Sequence, residues 1–118
     1  MNQIEHMHQA ALIKWWSMYA TSKNIMEELL FAVPNGGARD LITGARLKAE
    51  GVRRGVPDLF LAIPKNDYHG LFLEMKADKG RCSEYQKAMI ERLSMQGFCC
   101  KVCHGWVDAR EVIQKYLG

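Results

Sequence analysis

Long hydrophobic runs are absent from this sequence. No apolar stretch approaches the roughly 20 residues that a helix needs to cross a bilayer, so no membrane span is expected. Low-complexity tracts, internal repeats and linkers are missing too, and only 3 prolines punctuate the chain. With 48% hydrophobic and 25% charged residues, composition sits near the globular average and argues against disorder, collagen and coiled-coil arrays. The 118 residues amount to one domain, 1–118. An excess of one charge sign is also slight: Lys plus Arg exceeds Asp plus Glu by 16 − 13 = 3. That permits an anionic partner without demonstrating one. Met1 is followed by a polar, helix-like segment carrying Glu5 and His6 rather than by a signal peptide, so a cytoplasmic location is expected. The 4 cysteines are badly placed for a disulfide scaffold, since Cys99, Cys100 and Cys103 crowd together and Cys82 stands alone. Reduced thiols are the expectation.

What is present is a regular alternation of helical and extended patterns. Ile4, Met7, Ala11, Leu12, Trp15, Trp16 and Tyr19 recur with a helical period, predicting an amphipathic helix over 3–20. Leu29 to Val33 reads as a strand closed by Pro34, Asn35-Gly36-Gly37 as a turn, and Ala38 to Glu50 as a helix stopped by Gly51. The apolar runs Leu59 to Ile63 and Leu71 to Lys76, joined by a polar turn over 65–70, predict a β-hairpin. Ser83 caps a helix over 84–96, with Gln86 placed for a capping box, and Gly97 stops it. Phe98 to Val102 reads as a strand, and Asp108 opens a final helix over 109–117. A strand–helix–strand crossover from Leu71 to Val102 favours a parallel pair. The fold class is α/β, with a mixed central sheet flanked by helices.

The informative feature is polar residues where a strand should be purely structural. Glu74 and Lys76 lie two apart and project from one face, and Asp58 sits at the mouth of the neighbouring strand. If these strands pair, Asp58 and Glu74 converge with Lys76 beside them. Two such carboxylates repel unless one is protonated or a cation neutralises them. A hard divalent ion such as Mg²⁺ suits the pair, with the Met75 carbonyl as a further oxygen ligand. An ion held there polarises a phosphodiester, and Lys76 can position the nucleophile or offset phosphoryl charge. The residues therefore point to metal-assisted phosphate-ester hydrolysis. The plainer reading makes Asp58 the first residue of a strand and Glu74 and Lys76 a solvated pair.

Gly55-Val56-Pro57-Asp58, then Glu74-Met75-Lys76, then Gln86 in the following helix resembles the PD-(D/E)XK (restriction-endonuclease-like) nuclease superfamily. More narrowly the chain resembles the virus-type replication-repair nuclease (VRR-NUC) family, whose members are stand-alone phage proteins or a module of a crosslink-repair enzyme. Glu5, Pro34 to Gly37, Glu50-Gly51, Arg54-Gly55 and Ser83 fall in the family's order. The resemblance implies a Mg²⁺ or Mn²⁺ site made by Asp58, Glu74 and the Met75 carbonyl. It also implies a metal-directed Glu5, a catalytic Lys76 and a supporting Gln86. The plain alternatives are that Glu5 only solvates a helix start and Gln86 only caps. His8, a turn beyond Glu5, is a weaker candidate for the same mouth. Arg39, Arg53, Arg54, Lys79 and Arg81 form a candidate DNA-binding track, with Arg46 and Lys48 nearby.

Cys100 to His104 matches the CxxCH pattern of haem attachment, but the segment reads as a strand that puts Cys100 and Cys103 on opposite faces. Neither haem nor zinc is expected there. The leading function is a structure-selective DNA endonuclease. Stand-alone viral members imply a homodimeric Holliday-junction resolvase, in the host cytoplasm if the chain is viral. Flap or single-strand cleavage by the same fold, or a non-catalytic branched-DNA-binding module, are the alternatives. Adjacent Trp15 and Trp16 cannot both face one core and so offer a candidate dimer surface.

Overall fold

The computed structural model describes residues 2–34 and 41–118. Helix α1 (Gln3–Ser22) opens on Asn2, whose side chain accepts from the Glu5 N–H. A 3-10 turn (Glu27–Leu29) leads into β1 (Leu30–Ala32), and α2 (Leu41–Ala49) follows. Strands β2 (Leu59–Leu61) and β3 (Leu71–Lys76), helix α3 (Glu84–Met95), strand β4 (Cys99–His104) and helix α4 (Trp106–Leu117) complete the order. The expected Asn35-Gly36-Gly37 turn, Arg39 and the start of the second helix lie outside the described residues.

The four strands form one mixed sheet in the order β1-β2-β3-β4. β2 and β3 are antiparallel, as the hairpin reading requires, and β3 and β4 are parallel across the α3 crossover. The hairpin turns at Asn66 and Asp67, with φ of 51° and 69°. Both lie in the left-handed region that primed two-residue turns use, and Lys65 and Tyr68 exchange backbone hydrogen bonds across them.

Side chains alternate across the sheet. Leu30, Leu59, Leu61, Leu71, Leu73, Met75, Cys99 and Cys103 form one buried face, sealed by Leu12, Trp16 and Ala20 of α1 and by Ala109, Ile113 and Tyr116 of α4. Phe60, Phe72, Glu74 and Lys76 occupy the other face, toward α3. Several boundaries shift by a residue or two, and the two that bear on the site are the end of β4 and the start of α4. β4 continues to His104 because its ladder with β3 runs until Lys76 meets His104. α4 begins at Trp106 rather than after Asp108, with Gly105 as its cap at φ 93°. Asp108 serves instead within the first turn, its carboxylate accepting from the His104 N–H at 2.9 Å.

The adjacent tryptophans are also reconciled with one core. Trp16 is buried and its indole N–H donates to the Glu27 carbonyl at 2.8 Å. Trp15 is half-buried against the same core and stacks on Tyr19 at 4.8 Å between ring centroids. The pair therefore supplies no argument for a dimer surface. Among the described residues, no helix is long and apolar enough to cross a membrane.

Candidate active site

The β2–β3 register pairs Leu59 with Leu73, so one step earlier Asp58 stands opposite Glu74. The Asp58 carboxylate reaches across and accepts the Met75 backbone N–H at 2.7 Å. A carboxylate here thus substitutes for a ladder bond at the strand's frayed end and is fixed in orientation by it. Glu74 projects from β3 into the sheet's α3 side, only 2% exposed. One of its carboxylate oxygens, Oε2, accepts the Gln86 side-chain amide at 3.1 Å and lies 3.4 Å from Lys76 Nζ. The other, Oε1, is buried with no hydrogen-bond partner.

That orphan decides what the site can do. An unpaired buried carboxylate oxygen is costly unless the group is protonated or a cation fills the gap. Burial, reinforced by the Asp58 charge, pushes Glu74 up to about 8 from its ordinary 4.5. Burial likewise raises Asp58, partly offset by the Met75 N–H, by a hydrogen bond shared with Glu74 and by the Lys76 charge. Two adjacent carboxyl groups that burial makes reluctant to ionise, one oxygen left over, suit a hard divalent cation. The donor set fits the ion.

Gln86 is both things the sequence allowed. Its Oε1 accepts the Ser83 N–H at 2.8 Å, its own N–H donates to Ser83 Oγ at 3.2 Å, and its Nε2 holds Glu74. The capping box therefore fixes the rotamer that supports the acidic pair. What brings this turn of α3 to the sheet is Gly55, at φ 84°. A methyl group there would lie 2.3 Å from the Tyr85 carbonyl oxygen, so only glycine permits the approach.

The remaining expected residues divide. Glu5 is half-buried on α1, and its charge contributes to raising Asp58. Among the described residues, though, no group of three or more His, Cys, Asp or Glu side chains is gathered as a metal cluster. His8 is engaged elsewhere, its Nδ1 accepting the Trp106 N–H at 3.0 Å at the start of α4. Arg53 and Arg54 lie exposed just ahead of Asp58, and Lys79 and Arg81 lie exposed in the loop after β3. The Arg54 guanidinium lies over the Tyr85 ring, 3.8 Å from its centroid. Arg46 and Lys48 are exposed on α2, and Arg39 is outside the described residues.

Sequence reasoning missed two neighbours of the site. Cys82 lies in the field of Glu74, Lys76 and Asp58, and burial raises its thiol. His104 stands beside Lys76 in the β3–β4 register, and its Nε2 lies 2.9 Å from the Gly80 carbonyl. It thereby fastens the turn that packs over the Lys76 side chain, where a methyl on Gly80 would sit 3.3 Å from Lys76 Cβ. The CxxCH histidine was thus visible as a motif, but its role depends on a strand register that spacing alone does not give. Cys100 and Cys103 do face opposite sides of β4, and burial pushes the Cys103 thiol up to about 12.

Comparison with known proteins agrees with this fold. A search of curated proteins finds no match. Among solved structures, a VRR_NUC domain protein superposes with a TM-score of 0.80 at 28% sequence identity, covering 99% of this chain and 90% of that one. Residues 3–106 match the VRR-NUC domain family, a span that takes in Glu5, Asp58, Glu74, Lys76 and Gln86. The chain belongs to the VRR-NUC domain family, nuclease domains of the PD-(D/E)XK type.

Proposed function

We propose that residues 1–118 form one nuclease domain that hydrolyses DNA phosphodiester bonds with Mg²⁺ or Mn²⁺, selects branched DNA by shape, and resolves Holliday junctions as a homodimer. The observation that carries the metal-dependent reading is the buried Glu74 carboxylate, opposite Asp58, with one oxygen unpartnered. Asp58, Glu74 and the Met75 carbonyl are the ligands, and Glu5, whose charge is felt at Asp58, is a further carboxylate for the ion. Bound there, the ion supplies Lewis-acid polarisation of the scissile phosphate.

The protein's own groups do the rest. Lys76, buried and 3.4 Å from Glu74, holds a positive charge where negative charge builds on the phosphoryl oxygens. Gln86 keeps Glu74 from rotating out of the pocket, and Gly55 keeps Gln86 in reach. Arg53, Arg54, Lys79, Arg81 and, by its sequence position, Arg39 neutralise backbone phosphates, which supplies affinity without base readout. A domain of this size holds one such site, and two opposed cuts at a four-way junction need two. A two-fold dimer supplies them.

The experiment is a cleavage panel of labelled four-way junction, flap, duplex and single-stranded DNA with Mg²⁺ or Mn²⁺. Paired nicks on opposite junction arms, faster than any other cleavage, are expected. Preferential cutting of flaps or single strands rejects junction resolution and retains the nuclease. Binding to branched DNA with no cleavage of any substrate rejects the catalytic reading.

A further inference from the structure

Tyr85 belongs to neither the acidic pair nor the hydrophobic core, yet two parts of the site meet on it. It occupies the first turn of α3 and is 54% exposed. The Arg54 guanidinium carbon lies over it, 3.8 Å from the ring centroid, a separation at which the cation and the ring face attract. The stack is not an accident of two long surface side chains. Gly55, next in sequence to Arg54, touches the Tyr85 carbonyl so closely that no side chain fits between them. The backbone therefore fixes where Arg54 leaves the loop relative to the ring.

Stacking occupies the face of a guanidinium and leaves its in-plane N–H groups free. Among the described residues, no carboxylate pairs with Arg54. An exposed arginine, rotationally restrained and unpaired, four positions ahead of Asp58, presents its donors to an anion with the planar geometry that phosphate oxygens accept. The next residue along α3, Gln86, holds Glu74. One helical turn thus carries both the ring under Arg54 and the amide that supports the acidic pair.

We propose that Tyr85 is a positioning residue for substrate binding: its ring holds the Arg54 guanidinium as a clamp on a backbone phosphate of the DNA strand beside the cut. This rests on the nuclease reading above and adds to it a residue that carries no charge itself.

The test measures binding of a labelled junction by the full chain in EDTA, by fluorescence anisotropy, as a function of salt, and cleavage kinetics in Mg²⁺. Tyr85→Ala should weaken binding about 2- to 5-fold, the scale of an exposed cation–π contact, and lower the salt slope by up to about 0.9, the contribution of one phosphate. A neutral ring can change that slope only through Arg54. Adding Tyr85→Ala to Arg54→Ala should cost little more than Arg54→Ala alone. In cleavage, Tyr85→Ala should raise KM more than it lowers kcat, and Tyr85→Phe should restore both. Wild-type affinity and slope in Tyr85→Ala, full additivity with Arg54→Ala, or failure of Tyr85→Phe to restore binding would each overturn the clamp while leaving the nuclease standing. A wild-type chain that binds no DNA would overturn both.

Discussion

Replacing Glu74 by Gln should stabilise the metal-free protein near pH 8 while removing its activity. The wild-type carboxyl is raised from 4.5 to about 8, so it stays protonated in the folded state over a range where the unfolded chain ionises. The unfolded state binds fewer protons there. Stability contributed by the neutral carboxyl is present below its unfolded value and is lost as pH rises through the folded one. Each unit of displacement is worth about 1.4 kcal/mol, so between pH 5 and 8 the wild type should lose roughly 3 kcal/mol from this group. Asp58, raised in the same direction, adds to the slope. Gln keeps an acceptor for Gln86 and has no charge to bury, so most of the slope should vanish. The assay is urea unfolding in EDTA at several pH values, for both proteins. Mg²⁺ should then stabilise the wild type most at high pH, where the ion competes least with protons, and should leave the variant unchanged. An unaltered pH slope in Glu74→Gln would refute the argument that this buried carboxyl carries the proton.

Further outcomes follow from other contacts. Lys76→Ala should reduce single-turnover cleavage by orders of magnitude with little change in DNA affinity, read by quench-flow and anisotropy on one junction; lost affinity with intact rate would reverse its role. Gly55→Ala should cost on the order of 1–3 kcal/mol in chemical unfolding, because the methyl collides with the Tyr85 carbonyl and φ is 84°. It should also slow cleavage by withdrawing Gln86, which a merely distant destabilising substitution would not do. Arg53→Ala should weaken DNA binding at low salt and have less effect at high salt, in a titration over ionic strength. Light scattering at working concentration should return twice the 13.5 kDa chain mass; a stable monomer would reject the dimer.

Among the described residues, the order of the helices and strands, though not the 3-10 turn, was legible in the sequence, because each carries its own periodicity and stop signals. So was the meeting of Asp58 with Glu74: a hairpin between two short apolar runs allows few registers. The misplaced details are those set by contacts distant in sequence. Nothing near Asp108 shows that Gly105 caps α4, because that start is shaped by His8 of α1 and by the β4 ladder. Trp15 and Trp16 look irreconcilable with one core until Tyr19 and the 3-10 turn supply a second wall. Gln86 read as either a cap or a support, and only the crossing of α3 over β3 makes it both. The stack of Arg54 on Tyr85 joins residues that no periodicity relates.

The measurement that bears most directly on the account is single-turnover junction cleavage by the wild type, Asp58→Asn and Glu74→Gln across a Mg²⁺ titration, with unfolding curves on the same samples. Asn at position 58 keeps an acceptor for the Met75 N–H, so the fold is spared while the charge is lost. The wild type should cut only with the ion present, and both folded variants should fail at every concentration. Cleavage by either variant at the wild-type rate, or wild-type cleavage undiminished in EDTA, would contradict an acidic pair built to hold a catalytic metal.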